Sequence, residues 1–187
     1  QQECIVIRGN HDIWCENWLR TGETDKIWLE HGGEGTMESY SGFSESEKKE
    51  HLQFFENMLP FYIDDKNRLF IHAGFTSQYG VEYELLKQNY YFDRSLWYES
   101  LKLKTLSQDD KDNYPARNKL YDEIYIGHTP TINFNEYEPM RALNVYDIDT
   151  GAAFYGRLSA MDIDSKKVYQ TEVVSTLYPG EKGRNKS

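Results

Sequence analysis

Three histidines in this chain stand in the same kind of place. Cys4-Ile5-Val6-Ile7 runs into Arg8-Gly9-Asn10-His11-Asp12, Arg68-Leu69-Phe70-Ile71 into His72-Ala73-Gly74, and Glu123-Ile124-Tyr125-Ile126 into Gly127-His128-Thr129. Each apolar run has the length of a buried strand. Ligands of open α/β sheets bind at the carboxyl ends of the strands, so the three turns are expected to converge. Neutral imidazoles and an amide oxygen suit Mn, Fe or Zn rather than Ca. Asn10, His72 and His128 are therefore candidate metal ligands, and three ligands with open positions make a catalytic type of site. His11 is expected to face away from Asn10 in an extended loop, free to give a proton to a leaving oxygen; its reference pKa near ~6.5 suits that work. Asp12 is placed as the anchor of the loop and Arg8 as its support through a carboxylate. A single histidine after a strand is commonly structural; the threefold pattern is what argues for a site. His31 and His51 lack that setting and are read as non-ligands.

The elements that must position these residues follow from local pattern. Ser44-Glu45-Ser46-Glu47 has capping-box spacing, Leu52, Phe55, Met58 and Leu59 recur at helical spacing, and Pro60 closes the helix. Ile13 to Leu19 is a shorter helix. Helical pieces are expected around Glu82–Leu86 and Leu96–Leu101, and a loop over Ser107–Pro115. Leu143–Ile148 leads into Asp149-Thr150-Gly151. Arg157–Ile163 and Val168–Val174 alternate around the turn Asp164-Ser165-Lys166-Lys167, which predicts a hairpin. The expected class is α/β, with residues 1–178 as a single domain and 179–187 as a disordered tail.

Bulk composition narrows the partners. The chain has 187 residues, enough for one domain with a sizeable core, and a formal charge of −10. That charge argues against nucleic acid or an anionic membrane as partner. It leaves room for a phosphorylated substrate, because bound metal ions reverse the local sign. Two cysteines in a chain this long are not a disulfide framework, and both are expected reduced. With no run of transmembrane length and no signal-peptide pattern, a cytoplasmic location is expected.

The segments "RGNHD", "RLFIHAGF" and "IGHTPT", in this order, resemble the later motifs of the calcineurin-like metallophosphoesterases. The arginine before GNH, Leu59-Pro60 ahead of RLFIHAG, and "NVYDIDTGAAFYGRLSAMDID" resemble the branch of serine/threonine protein phosphatases and their bacterial and phage relatives. The resemblance implies an α/β sandwich with two central mixed sheets flanked by helices. It also implies two divalent metal ions, manganese, iron or zinc, about 3.5 Å apart, sharing an aspartate and a hydroxide that attacks phosphorus in line. Asn10, His72 and His128 would hold the second metal, and His11 would be the general acid, with Asp12 beside it. Arginines hold phosphate in this family; Arg94, in "YYFDRSLWYES", is the candidate, with Arg8 as a second. For Arg94 an ion pair with Asp93 or Glu99 is an equal alternative. The implied activity is hydrolysis of phosphate monoesters on a phosphorylated protein or a small phosphoester.

The family's first two motifs, GDxHG and GDxxDRG, do not occur, and no Gly-Asp pair is present. They would supply the first metal's ligands, the bridging aspartate and the carboxylate that orients the acid. The expectation is that roughly 60 to 80 residues precede Gln1 in the native protein, about two βα units, and that this chain alone is inactive. Alternatives are a diadenosine-polyphosphate hydrolase or another phosphoesterase of the superfamily, a one-metal hydrolase, and a non-catalytic scaffold that kept the fold.

Overall fold

The structure is a computed structural model and describes residues 4–180. The expected tail therefore lies largely outside the described residues; 179 and 180 form a turn. Helix α1 (Asn10–Thr21) opens the fold, followed by the short α2 (Lys26–Glu30) and α3 (Gly33–Ser39), then α4 (Glu45–Asn57). Ser44 caps α4 as its sequence requires. Its hydroxyl accepts from the Glu47 N–H at 3.3 Å, and the Glu47 carboxylate accepts from the Ser44 N–H at 2.8 Å. Helix α4 packs on α1, and Arg20 joins them by pairing with Glu16 at 2.8 Å and Glu56 at 2.7 Å.

Strands β1 (Phe61–Ile63) and β2 (Arg68–Ile71), helices α5 (Asn89–Phe92), α6 (Ser95–Lys102) and α7 (Ala116–Lys119), and strands β3 (Glu123–Ile126), β4 (Met140–Ala142) and β5 (Val145–Asp147) build the α/β part. The sheet order is β1-β2-β3-β5-β4, with β2, β3 and β5 parallel and both edge strands antiparallel. Two of the three predicted histidine strands are β2 and β3, with the bounds expected. Leu69, Ile71, Ile124, Ile126 and Val145 bury one face against α5 and α6, where Leu96 and Trp97 are fully covered. Each such side chain contributes roughly 1.5–3 kcal/mol. The other face carries Phe70, Tyr125 and Tyr146 as a stack with centroids 5.0 Å apart. The hairpin of β6 (Arg157–Met161) and β7 (Val168–Val173) forms as the alternation predicts, and α8 (Val174–Leu177) follows. Its turn is clamped to the sheet. Lys166 reaches Glu123 at 2.6 Å and lies over the rings of Tyr125 and Tyr146, and Arg68 reaches Asp164 at 2.5 Å.

Several expectations need correction. Cys4–Ile7 is not a strand: Ile7 makes a single parallel bridge with Leu59. Val6 O accepts from Leu59 at 2.9 Å and Arg8 donates to Leu59 O at 2.8 Å, and the pairing stops there. The chain turns into α1 from Gly9 onward and the partner segment is helical up to Asn57, so no extended neighbours remain to lengthen the ladder. Asn10, His11 and Asp12 are not in an extended loop; they form the first turn of α1. Glu82–Leu86 is a 3₁₀ turn over Val81–Tyr83 followed by loop, and Ser107–Pro115 contains a 3₁₀ turn over Gln108–Asn113. Among the described residues the sheets are one mixed sheet of five strands and one hairpin of two.

Candidate functional site

The turns after β2 and β3 and the first turn of α1 meet in one cleft of about 830 Å³. Its floor is made by backbone chemistry. Gly127 donates its N–H to His72 O at 2.9 Å, which ties the end of β3 to the end of β2. His128 then takes a left-handed conformation with φ 68, which is uncommon for a side chain of its size and costs of order 1–3 kcal/mol. The two imidazoles come to rest edge to face, centroids 5.1 Å apart.

Asn10 arrives from α1. Its Oδ1 lies 2.9 Å from His72 Nε2, across 62 residues of sequence. Gly9 makes that approach possible: a Cβ there would stand 2.9 Å from the His72 ring. Asp12 anchors this turn as expected. Its carboxylate accepts from the Gly9 N–H at 2.7 Å, closing the N-terminus of α1. Burial pushes the Asp12 carboxyl up, against the Gly9 bond and the Arg8 charge. For His72 burial is the main cause and the Arg94 charge the second; together they push the imidazole down to about 4. It is neutral at pH 7, the form a ligand needs.

The candidate arginines separate. Arg94 lines the cleft and donates to Thr129 Oγ1 at 3.0 Å and to His128 O at 3.5 Å. Its expected alternative partners are engaged elsewhere: Glu99 pairs with Arg117 at 2.7 Å, and the Asp93 carboxylate accepts from Ser95 and Leu96 at the start of α6. Arg8 lies off the cleft. Its guanidinium pairs with Glu16 at 2.8 Å and donates to Phe55 O, so it supports the loop through a carboxylate. His51 is also remote, 3.0 Å from the Tyr40 hydroxyl. His31 stands on the cleft wall beside Glu30.

Asp149, Trp14 and Phe92 are among the cleft residues not anticipated. Asp149 follows β5 as the histidines follow β2 and β3, and its Oδ1 accepts from the Gly151 N–H at 3.0 Å. The strand-end pattern was legible in Leu143–Asp149 but carries no histidine. Trp14 and Phe92 line the cleft without a signal in the sequence. Rings run from His11 to Trp14 at 5.0 Å, to Phe92 at 5.4 Å, and on to His128 at 6.2 Å.

Two ligand atoms about 2.1 Å from one tetrahedral ion stand about 3.4 Å apart. Asn10 Oδ1 and His72 Nε2 are in hydrogen-bond contact at 2.9 Å, about half an ångström closer than that. Among the described residues, no three His, Cys, Asp or Glu side chains come together as a metal-holding group. The chain thus offers two imidazoles and one amide, which fits part of a ligand set for a single borderline ion. No family model matches the chain, and no curated protein matches it. Among the described residues, no helix is long and apolar enough to cross a membrane.

Proposed function

We propose that this chain carries the second-metal half of a dinuclear metallophosphoesterase site, of the protein-phosphatase-like kind, and that its parent protein hydrolyses phosphate monoesters in the cytoplasm. The observation that carries the reading is the meeting of Asn10, His72 and His128 from three distant turns, with one arginine held beside them. Asn10, His72 and His128 would hold one Mn, Fe or Zn ion. When bound, such ions supply charge stabilisation and an activated water. The chain's own residues do the rest. Arg94 holds a phosphoryl oxygen, His72 stays neutral, and His11 on the first turn of α1 keeps a proton for the leaving oxygen.

A second hollow, about 360 Å³, shares His72, His128 and Asp149 with the cleft and is walled by Ile7, Phe70 and Tyr125. In this reading the first metal's ligands are not among this chain's residues, and the chain by itself is inactive.

Elemental mass spectrometry on the purified chain tests this. The expected result is one transition-metal ion per polypeptide, lost in both His72→Ala and His128→Ala, and two ions with phosphatase activity in the parent protein. Retention of the ion in both variants overturns the ligand assignment. A metal-replete parent that hydrolyses no phosphomonoester favours the scaffold reading.

A further inference from the structure

The aromatic wall beside His11 belongs to no ligand set and to no part of the sheet core. Trp14 and Phe92 sit on the cleft, with Phe92 37% exposed, and their rings bridge the gap between His11 and His128. Exposed aromatic edges beside a polar centre are expensive to leave wet and specific in what they stack. Among the described residues lining the cleft, Arg94 is the one lysine or arginine, while Asp12, Glu30 and Asp149 line it too. One cation against three carboxyl groups has room for one phosphoryl group, not for a polyphosphate chain.

We infer that the ester this cleft takes is an aryl phosphate, a phosphotyrosine-type monoester, with the phenyl ring against Trp14 and Phe92. This rests on the phosphoesterase reading above and departs from the serine/threonine preference that the family resemblance implies. The geometry sets how far the ring is from phosphorus. The leaving oxygen must reach His11, and the Trp14 ring centroid is only 5.0 Å from the His11 centroid. A ring bonded directly to that oxygen meets the indole. A nucleobase, separated from its phosphate by a ribose, is carried past it. A serine or threonine side chain leaves both rings uncovered. In the reaction, the oxygen of water bonds to phosphorus as the ester P–O bond breaks. The phenolic oxygen leaves with the bonding pair and takes the His11 proton, and the proton shed by water restores it. The products are a phenol and inorganic phosphate.

The test reads binding and so does not depend on turnover. The indole N–H resonance of Trp14 is followed in the full 187-residue chain, in zinc-containing buffer, during titration with O-phosphotyrosine, O-phosphoserine and free tyrosine. Phosphotyrosine should bind about three- to tenfold tighter than phosphoserine, from one or two aromatic contacts, and should move the Trp14 signal. Phe92→Ala should bring the ratio toward one. Trp14→Ala, followed by calorimetry, should do the same. Equal affinity for the two phosphoamino acids overturns the aryl preference and leaves the phosphate site standing. Free tyrosine binding as tightly as phosphotyrosine overturns the phosphate site, and no shift with either phosphomonoester overturns both.

Discussion

His11 is the residue on which the proposed chemistry turns, and its setting differs from the one its neighbours suggest. In the first turn of a helix it points about 100° away from Asn10 rather than opposite to it. Its ring meets Trp14 at the next helical turn, edge to face. The proposed ligand Asn10 and the proposed acid His11 are thus held by one short segment without competing for the same space. In the proposed active phosphoesterase, His11→Asn should leave metal content near normal and lower kcat by about 10²–10⁴ on an alkyl phosphate. The drop should be smaller on an aryl phosphate, whose phenolate leaves more easily with a conjugate-acid pKa near ~10. Steady-state kinetics on the two ester types checks this. Equal turnover of wild type and variant on the alkyl ester would remove His11 from the proton-donor role.

At the scale of elements, the contact between α1 and the end of β2 sets the site. It depends on Gly9, whose φ of −105 and ψ of 177 any residue can adopt. Backbone freedom is therefore not why glycine stands there; the His72 ring is. This makes the sign of a substitution informative. Gly→Ala at an accessible conformation stabilises by about 0.4–1 kcal/mol through the unfolded chain. Here the added Cβ meets the imidazole, and overpacking costs about 1–3 kcal/mol. Gly9→Ala should lower Tm by about 3–10 °C and loosen the Asn10–His72 contact. A raised Tm by scanning calorimetry would show that the contact yields freely.

Over the described molecule, Asp147 is a buried group with an unmet hydrogen-bonding need. It closes β5, is fully buried, and its Oδ2 has no hydrogen-bond partner. Oδ1 accepts from the Asp149 N–H at 3.1 Å, which fixes the turn that presents Asp149 to the cleft. Burial is the main reason its carboxyl is pushed up to about 9. With the folded pKa above the unfolded value of 3.8, the folded chain keeps a proton that the unfolded chain gives up. Stability should therefore fall as pH rises from about 4 toward 9. Asp147→Asn copies the neutral acid and cannot titrate. It should match wild type near pH 4 and exceed it by more than ~1 kcal/mol at pH 8. Urea melts across that range check the slope; parallel slopes for the two proteins would overturn the assignment.

Local pattern alone determined a good part of this protein. The apolar runs specified β2 and β3, because fully buried strands must be continuous in apolar residues. The Ser44–Glu47 box specified the start of α4, since both of its hydrogen bonds lie within four residues. The strand-end rule brought His72 and His128 to one edge. What the tertiary structure decided are the contacts between distant segments, which no local period encodes. Helices α1 and α4 flank the Ile7–Leu59 pair, so an apolar run stayed a single bridge. Arg94 went to Thr129 because Glu99 and Asp93 were already committed to Arg117 and to the start of α6. The edge strands β1 and β4 formed on partners supplied by β2 and β5, and the aromatic wall of Trp14 and Phe92 arose from two helices whose sequences carry no mark of the cleft they share.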